Sequence, residues 1–370
     1  MRVLILSITA GEGHNSTAKA IKDELIARGA ECEFLDTYGY INRALRSVIS
    51  NGYLFMSSKT KRLYAQGYRH CENRKKSGHF SISRYFHKSL ARKLFKYIKK
   101  YDPDVVVYTH IFAGILVDIL KKRPDFRAKS VGIVTDFVFH PYWEEAANTD
   151  KIVIADKLLK LQAKARGYND EQIVPIGIPI RSKFAQSKEK ATAREELGIA
   201  KDKLTVLIMG GSMGYGNLAY VVKKLDAIEL DFQMLVVCGN NTDAKTSVEK
   251  LNLNKKTFVY GFVNNVDVMM DASDCIVSKP GGLTTSEALA KRLPMIIVNP
   301  IPGQEDRNKD FLLNSGVAMA ITETCDLEEI IFQLFSNPEH IELMRKKIDI
   351  IKHPNSTDDL CKLIMSLGND

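Results

Sequence analysis

Short, wholly apolar runs alternate along this chain with longer stretches in which apolar residues recur every three or four positions. That is the pattern of buried parallel strands joined by helices. Arg2 to Ser7 is the first run; Gly11 and Gly13 end it, and a helix-compatible stretch follows from Ser16 to Arg28. Further strands are predicted at Cys32–Leu35, Val105–Tyr108, Ser130–Val134, Lys151–Ile154 and Ile173–Pro175. After the polar stretch Arg181–Asp202 a second series is predicted at Leu204–Met209, Gln233–Cys238, Thr257–Tyr260, Cys275–Val277 and Met295–Val298. Gly177 and Pro179 punctuate the chain between the two series and mark a linker over Pro175–Ser187. The pattern predicts two Rossmann-like α/β domains, residues 1–180 and 181–370. Pro338 to Leu367 reads as helical with a break at Pro354, leaving the last helix able to pack back on the first domain.

With 370 residues and 45% hydrophobic content, the chain can build two cores. Its longest apolar run, Val105 to Leu120, contains His110 and Asp118 and is too short and too polar to span a bilayer. The N-terminus has no cleavable signal pattern, so a cytoplasmic location is expected. Six cysteines are scattered without a CxxC pair or zinc-type spacing, and the reading is of no metal and no cofactor.

Charge changes the picture more. The net +9 conceals a segment, Arg43 to Lys100, with sixteen Lys/Arg against the single acid Glu72, which leaves the remainder of the chain acidic. Such a local cationic field suits a nucleic acid or an anionic membrane. Tyr53, Leu54, Phe55, Met56 and Leu63 lie among the basic residues, which favours a lipid interface over nucleic acid. Tyr53, Phe55, Arg62, Arg69, Lys75 and Lys76 are the expected docking residues. In the final part, Phe86, Leu90, Leu94, Tyr97 and Ile98 share one helical face, opposite Lys88, Arg92, Lys93, Lys96, Lys99 and Lys100. That face can meet lipid or can pack on the sheet.

Four strand exits carry candidate chemistry. Gly11-Glu12-Gly13-His14-Asn15-Ser16 follows the first strand; its glycines allow close backbone approach, and His14 can act as a base or cap the helix. Met209 to Asn217 is the matching turn of the second domain, where Gly211, Ser212, Met213 and Gly214 suit a diphosphate held by backbone N–H groups. Ser278 to Ala288 brings Gly282, Leu283, Thr284 and Glu287, with a capping box over Thr284–Glu287 as the alternative use, and Asn299 to Asn308 brings Gln304, Glu305 and Asn308. Thr135 to Trp143 sets Asp136, His140 and Trp143 at one exit, with two readings: an acceptor wall with Asp136 as a second base candidate, or, for Trp143, packing under a loop.

In order and spacing, GEGHNSTAKAI, TDFVFHPYW, GGSMGYGN, KPGGLTTSEAL and PIPGQEDRN resemble the monogalactosyldiacylglycerol synthase and processive diacylglycerol glucosyltransferase family, within the family 28 glycosyltransferases. The resemblance spans nearly the whole chain. It implies a GT-B fold of two facing Rossmann-like domains with parallel sheets, the acceptor bound by the first and a UDP-sugar by the second. It implies inverting, metal-independent transfer of glucose or galactose from UDP-glucose or UDP-galactose to diacylglycerol or a glycolipid, at the inner face of the cell membrane. It makes His14 the base or an essential donor-site group, Gly211–Gly214 and Gly13 phosphate-site residues, Gln304 and Glu305 donor-binding residues, and Glu287 a ribose-binding acid. A peptidoglycan-type lipid-linked N-acetylglucosaminyltransferase, a UDP-sugar epimerase and a non-catalytic UDP-sugar sensor are the alternatives.

Overall fold

The computed structural model describes residues 1–8, 12–42, 66 and 82–368. They form two compact units: Met1–Ser182 with Pro302–Gln304 and Asn355–Asp370, and Lys183–Ile301 with Glu305–Pro354.

The first unit runs β1 (Arg2–Ser7), α1 (Glu12–Ala27), β2 (Glu31–Asp36), α2 (Thr37–Ile41), α3 (Ile82–Tyr101), β3 (Val105–Tyr108), α4 (Ile111–Lys121), β4 (Lys129–Ile133), β5 (Lys151–Val153), α5 (Lys160–Ala165) and β6 (Ile173–Val174). Its six strands pair in parallel in the order β2-β1-β3-β4-β5-β6. Connections leave β1 for β2 on one side and later elements fill the other, so the order reverses between β1 and β3. Loops diverge at such a switch point and open a crevice at the carboxyl ends of the strands.

The second unit runs α6 (Lys190–Glu196), β7 (Leu204–Met209), α7 (Leu218–Asp226), β8 (Phe232–Val237), α8 (Thr242–Glu249), β9 (Thr257–Tyr260), α9 (Val266–Ala272), β10 (Cys275–Ser278), α10 (Gly282–Ala290), β11 (Met295–Ile297), α11 (Gln304–Asn314), β12 (Ala318–Ala320), α12 (Leu327–Ser336) and α13 (Pro338–Ile351). The sheet order is β12-β11-β10-β7-β8-β9, again parallel, with the switch between β7 and β10. Strand β12 escaped the sequence reading because three residues, Ala-Met-Ala, carry too little β signal.

The last helix, α14 (Ser356–Leu367), belongs to the first unit. Ser356 Oγ donates to the Ile178 carbonyl at 2.9 Å and Thr357 Oγ1 to that of Ile180 at 2.5 Å, both buried. Leu360, Cys361 and Ile364 then complete the core built by Ile21, Leu25, Val3 and Ile5.

Helix α3 settles one ambiguity. Leu90, Ala91, Leu94, Phe95 and Ile98 are buried, the helix packs on α4 and α2, and Tyr97 donates to Glu33. Its apolar face is therefore core and is not available to lipid, while Lys88, Arg92, Lys93, Lys96, Lys99 and Lys100 remain at the surface. The other expected docking residues, Tyr53, Phe55, Arg62, Arg69, Lys75 and Lys76, lie outside the described residues.

Tyr108 is the largest side chain buried completely among the described residues of the first unit, and it fits only because two glycines flank it. A Cβ added at Gly132 would stand 2.7 Å from Tyr108 Cε2, and one at Gly114 2.6 Å from the same atom. Gly132→Ala should therefore overpack this site by about 1 to 3 kcal/mol. A fall of several degrees in the thermal midpoint, read by circular dichroism, is the expected result.

Candidate active site

In the first unit three strand exits converge on one imidazole. His14 lies in the first turn of α1, just after β1. Its Nδ1 is 2.7 Å from the carbonyl of Thr109, the residue after β3, and 3.1 Å from Thr135 Oγ1, beyond β4. Thr109 Oγ1 donates to Ser7 Oγ at 3.1 Å, and Ser7 Oγ to Asn15 Oδ1 at 2.9 Å, which ties β1, β3 and α1 together beneath the ring. A carbonyl can only accept, so Nδ1 carries a proton. Burial holds the His14 pKa below the ordinary histidine value, against the opposing effect of the Thr109 bond. The neutral ring is thus the form present at pH 7, and its lone pair is on Nε2, the arrangement of a general base.

His110 adds a second imidazole that sequence reasoning passed over as an interruption in an apolar run. It caps α4, its Nδ1 accepting the Phe112 N–H at 3.2 Å, and its ring meets His14 edge-on at 4.7 Å between centroids. Burial first, and then the neighbouring His14 and His140, push its pKa well down. Two imidazoles in contact resist protonation together, and here the effect falls on His110. The available signal was a second histidine two residues past a strand end.

The other predicted residues of this unit divide. The Asp136 carboxylate accepts from the side-chain amide of Gln304, which groups with this unit. His140 caps the short 3₁₀ helix Pro141–Ala146, its Nδ1 accepting the Tyr142 N–H at 3.2 Å. Trp143 is only 4% exposed and packs on Tyr108 and Phe139, so it is a core residue and not the wall of an acceptor pocket.

The second unit's predicted residues gather at the exits of β7, β10 and β11. Gly211, Gly214 and Gly216 adopt positive φ (71°, 58° and 97°). A Cβ at Gly214 would stand 2.3 Å from the Cys238 carbonyl oxygen, so this turn is built against the β8 exit at a distance only glycine permits. The Asn240 N–H donates to the Ser212 carbonyl at 2.9 Å and Asn241 Nδ2 to that of Gly214 at 3.1 Å. Met213 projects at the tip. A small pocket below the turn is lined by Met209, Tyr215, Gly216, Asn217, Lys279 and Asn299.

Helix α10 begins at Gly282 with Gly281 as N-cap and no side-chain cap bond. The helix thus starts too early for the alternative use, a capping box over Thr284–Glu287; Leu283 and Thr284 stay partly exposed at the helix start, and Glu287 is buried in its interior. Glu305 is turned inward: one carboxylate oxygen accepts the Ile301 N–H at 2.8 Å and the other pairs with Lys279. Asn308, fully buried, donates to the Pro280 carbonyl at 3.0 Å and braces the Lys279–Gly282 loop on α11.

Two parallel six-stranded sheets, each with a glycine- or histidine-bearing turn at its switch point, define a GT-B glycosyltransferase. The fold is that of solved glycosyltransferases: MurG of Acinetobacter baumannii (17% identity, TM-score 0.66, 99% of both chains) and Alr3699/HepE of Anabaena, solved with UDP (11%, TM-score 0.58, 99% of this chain and 100% of that one). Residues 14–180 match the monogalactosyldiacylglycerol (MGDG) synthase family and residues 189–350 the glycosyl transferases group 1 family. Over the full length it is similar to the processive diacylglycerol beta-glucosyltransferases of Bacillus pumilus (29% identity, 96% of this chain and 93% of the relative) and Bacillus subtilis (28%, 98% and 94%). Taken together, these matches make the chain similar to the MGDG synthase and processive diacylglycerol glucosyltransferase family along nearly its whole length.

His14, His87 and His110 all have pKa values lowered chiefly by burial. Below about pH 6.5 the unfolded chain binds protons that the native ring sites refuse. Stability is therefore full above that pH and is lost as pH falls toward the native values. Urea midpoints should drop between pH 7.5 and 5.5, and His110→Asn, which keeps a capping side chain, should drop less steeply.

Proposed function

We propose that the protein transfers glucose or galactose from its UDP-sugar to diacylglycerol or a related glycolipid, with inversion at the anomeric carbon. The observation that carries this reading is the fixed tautomer of His14, a neutral imidazole with Nε2 unprotonated at a parallel-sheet switch point. His14 Nε2 takes the proton of the acceptor hydroxyl; that oxygen bonds to the anomeric carbon as its bond to the diphosphate breaks, and UDP departs with the electron pair. The first unit receives the acceptor, with Asp136 and His140 on the loop whose Thr135 contacts the base. The second receives the nucleotide: the Gly211–Gly214 turn and the α10 start at Gly282–Thr284 offer backbone N–H groups to the diphosphate, and Glu287 meets the ribose. Glu305 and Asn308 hold those loops in place. Gly13, at the α1 start, allows close backbone approach of the donor's phosphates.

In this reading the developing charge is met by backbone dipoles with no metal ion, and the enzyme works as a peripheral protein on the inner face of the membrane. No helix among the described residues is long and apolar enough to cross a membrane.

The decisive assay supplies radiolabelled UDP-glucose or UDP-galactose with diacylglycerol vesicles and identifies the lipid product; no labelled glycolipid from either donor would overturn the proposal. His14→Ala should lower turnover at least about a hundredfold and leave UDP affinity within a few fold. Asp136→Asn is the comparison, because the true base governs the pH limb of the rate profile. Activity should also persist after exhaustive EDTA treatment; loss reversed by magnesium or manganese would overturn the metal-free mechanism.

A further inference from the structure

Just past β5 the first unit carries the stretch Lys-Leu-Leu-Lys-Leu-Gln-Ala-Lys-Ala-Arg, residues 157 to 166. Asp156 starts it, its carboxylate accepting the Leu158 N–H at 2.8 Å, and Leu159 and Ala163 are buried and anchor the element to the unit. That anchoring turns Leu158 and Leu161 outward, 55% and 79% exposed, and Leu161 is the most exposed large apolar side chain among the described residues. Lys157, Lys160 and Lys164 stand exposed around them. The stretch contains no acid; Lys164 pairs with Asp170 at 2.8 Å, and Lys157 and Lys160 form no salt bridge among the described residues.

Two leucines in water within a ring of lysines match an anionic bilayer: the apolar tips enter the acyl boundary while the ammonium groups remain with the phosphates. Exposed apolar residues on α13 lack this complementarity. Leu343 and Ile350 there alternate with Glu342 and Asp349, which would repel phosphate headgroups and are already paired with Arg345 and Arg292. Position matters as well. In a parallel sheet the exits of β1, β3, β4 and β5 share one edge, so this element and the His14 network lie on the same side of the first unit.

We infer that Leu158 and Leu161, with Lys157, Lys160 and Lys164, dock the first unit on an anionic membrane surface. The inference deepens the lipid-acceptor reading, from which it takes its purpose, and it places docking on an element distinct from the Arg43–Lys100 segment.

The test is vesicle co-sedimentation of the full chain, with phosphatidylglycerol-containing and with purely phosphatidylcholine vesicles, at low and high salt. The L158Q/L161Q protein should lose at least about tenfold in affinity for anionic vesicles at either salt. The K157Q/K160Q protein should lose several-fold at low salt and converge on the parent at high salt. Both should keep the parent's thermal midpoint, since the substituted side chains face water. Parent-like sedimentation of both variants, equal parent binding to neutral and anionic vesicles, or no parent binding at all would overturn the inference. A concentration-dependent dimer abolished by L158Q/L161Q, without vesicle binding, would assign the face to a second copy and overturn it too. Turnover with detergent-dispersed diacylglycerol separates this from the transferase reading. Both variants should match the parent there, and a parent inactive in detergent would sink the transferase reading while the sedimentation result stood.

Discussion

The bond between His14 Nδ1 and the Thr109 carbonyl is the interaction on which the rest of the first unit's chemistry depends. It exists because β1 and β3 pair in parallel, with Leu6 opposite Tyr108, so that the residue after β3 arrives beside the helix that follows β1. A carbonyl in that place dictates which ring nitrogen holds the proton. Burial then decides that the ring is neutral. The base is thus a property of sheet register as much as of a histidine.

A steric constraint plays the equivalent part in the second unit. The β7 exit and the β8 exit approach so closely that Gly214 and Gly239 each leave no room for a Cβ: one would stand 2.3 Å from the Cys238 oxygen and the other 2.4 Å from the Ser212 oxygen. Two loops that interlock in this way hold their backbone N–H groups in fixed directions. Such preorganisation is what lets dipoles act on a diphosphate without a reorganisation cost. The Lys279–Glu305 pair and the Asn308 bond to Pro280 hold the neighbouring loop by other means, through side chains whose burial was not evident from their polar character.

Much of the fold was legible because buried parallel strands announce themselves as apolar runs. Leu204–Met209 and Val105–Tyr108 fall where the pattern put them. Strand β12 did not, because its three residues borrow their conformation from pairing with β11. The glycine turns were readable as turns, since glycine at a strand exit marks a sharp change of direction. The directions of polar side chains were not. Glu305 and Asn308 look like ligand-facing groups in sequence and turn inward in the structure, and of the two uses open to Trp143 the structure shows packing beside Tyr108. Hydropathy also could not say which face of α3 was core, since lipid and protein interior make the same demand of a helix.

The docking of α14 on the first unit bears on the order in which the molecule is made. The second unit is, in effect, an insertion in the first: the strands of the first sheet are all synthesised by Val174, yet Leu360, Cys361 and Ile364, which cover Ile21 and Leu25, follow only after the whole second unit. During synthesis the amino-terminal sheet therefore waits with part of its apolar surface bare while the later sheet forms. Ser356 and Thr357, on reaching the carbonyls of Ile178 and Ile180, act as the final latch of assembly. A cut after Ser182 would strand the first unit in that unfinished condition, and for this chain the domain boundary in sequence is no boundary in folding.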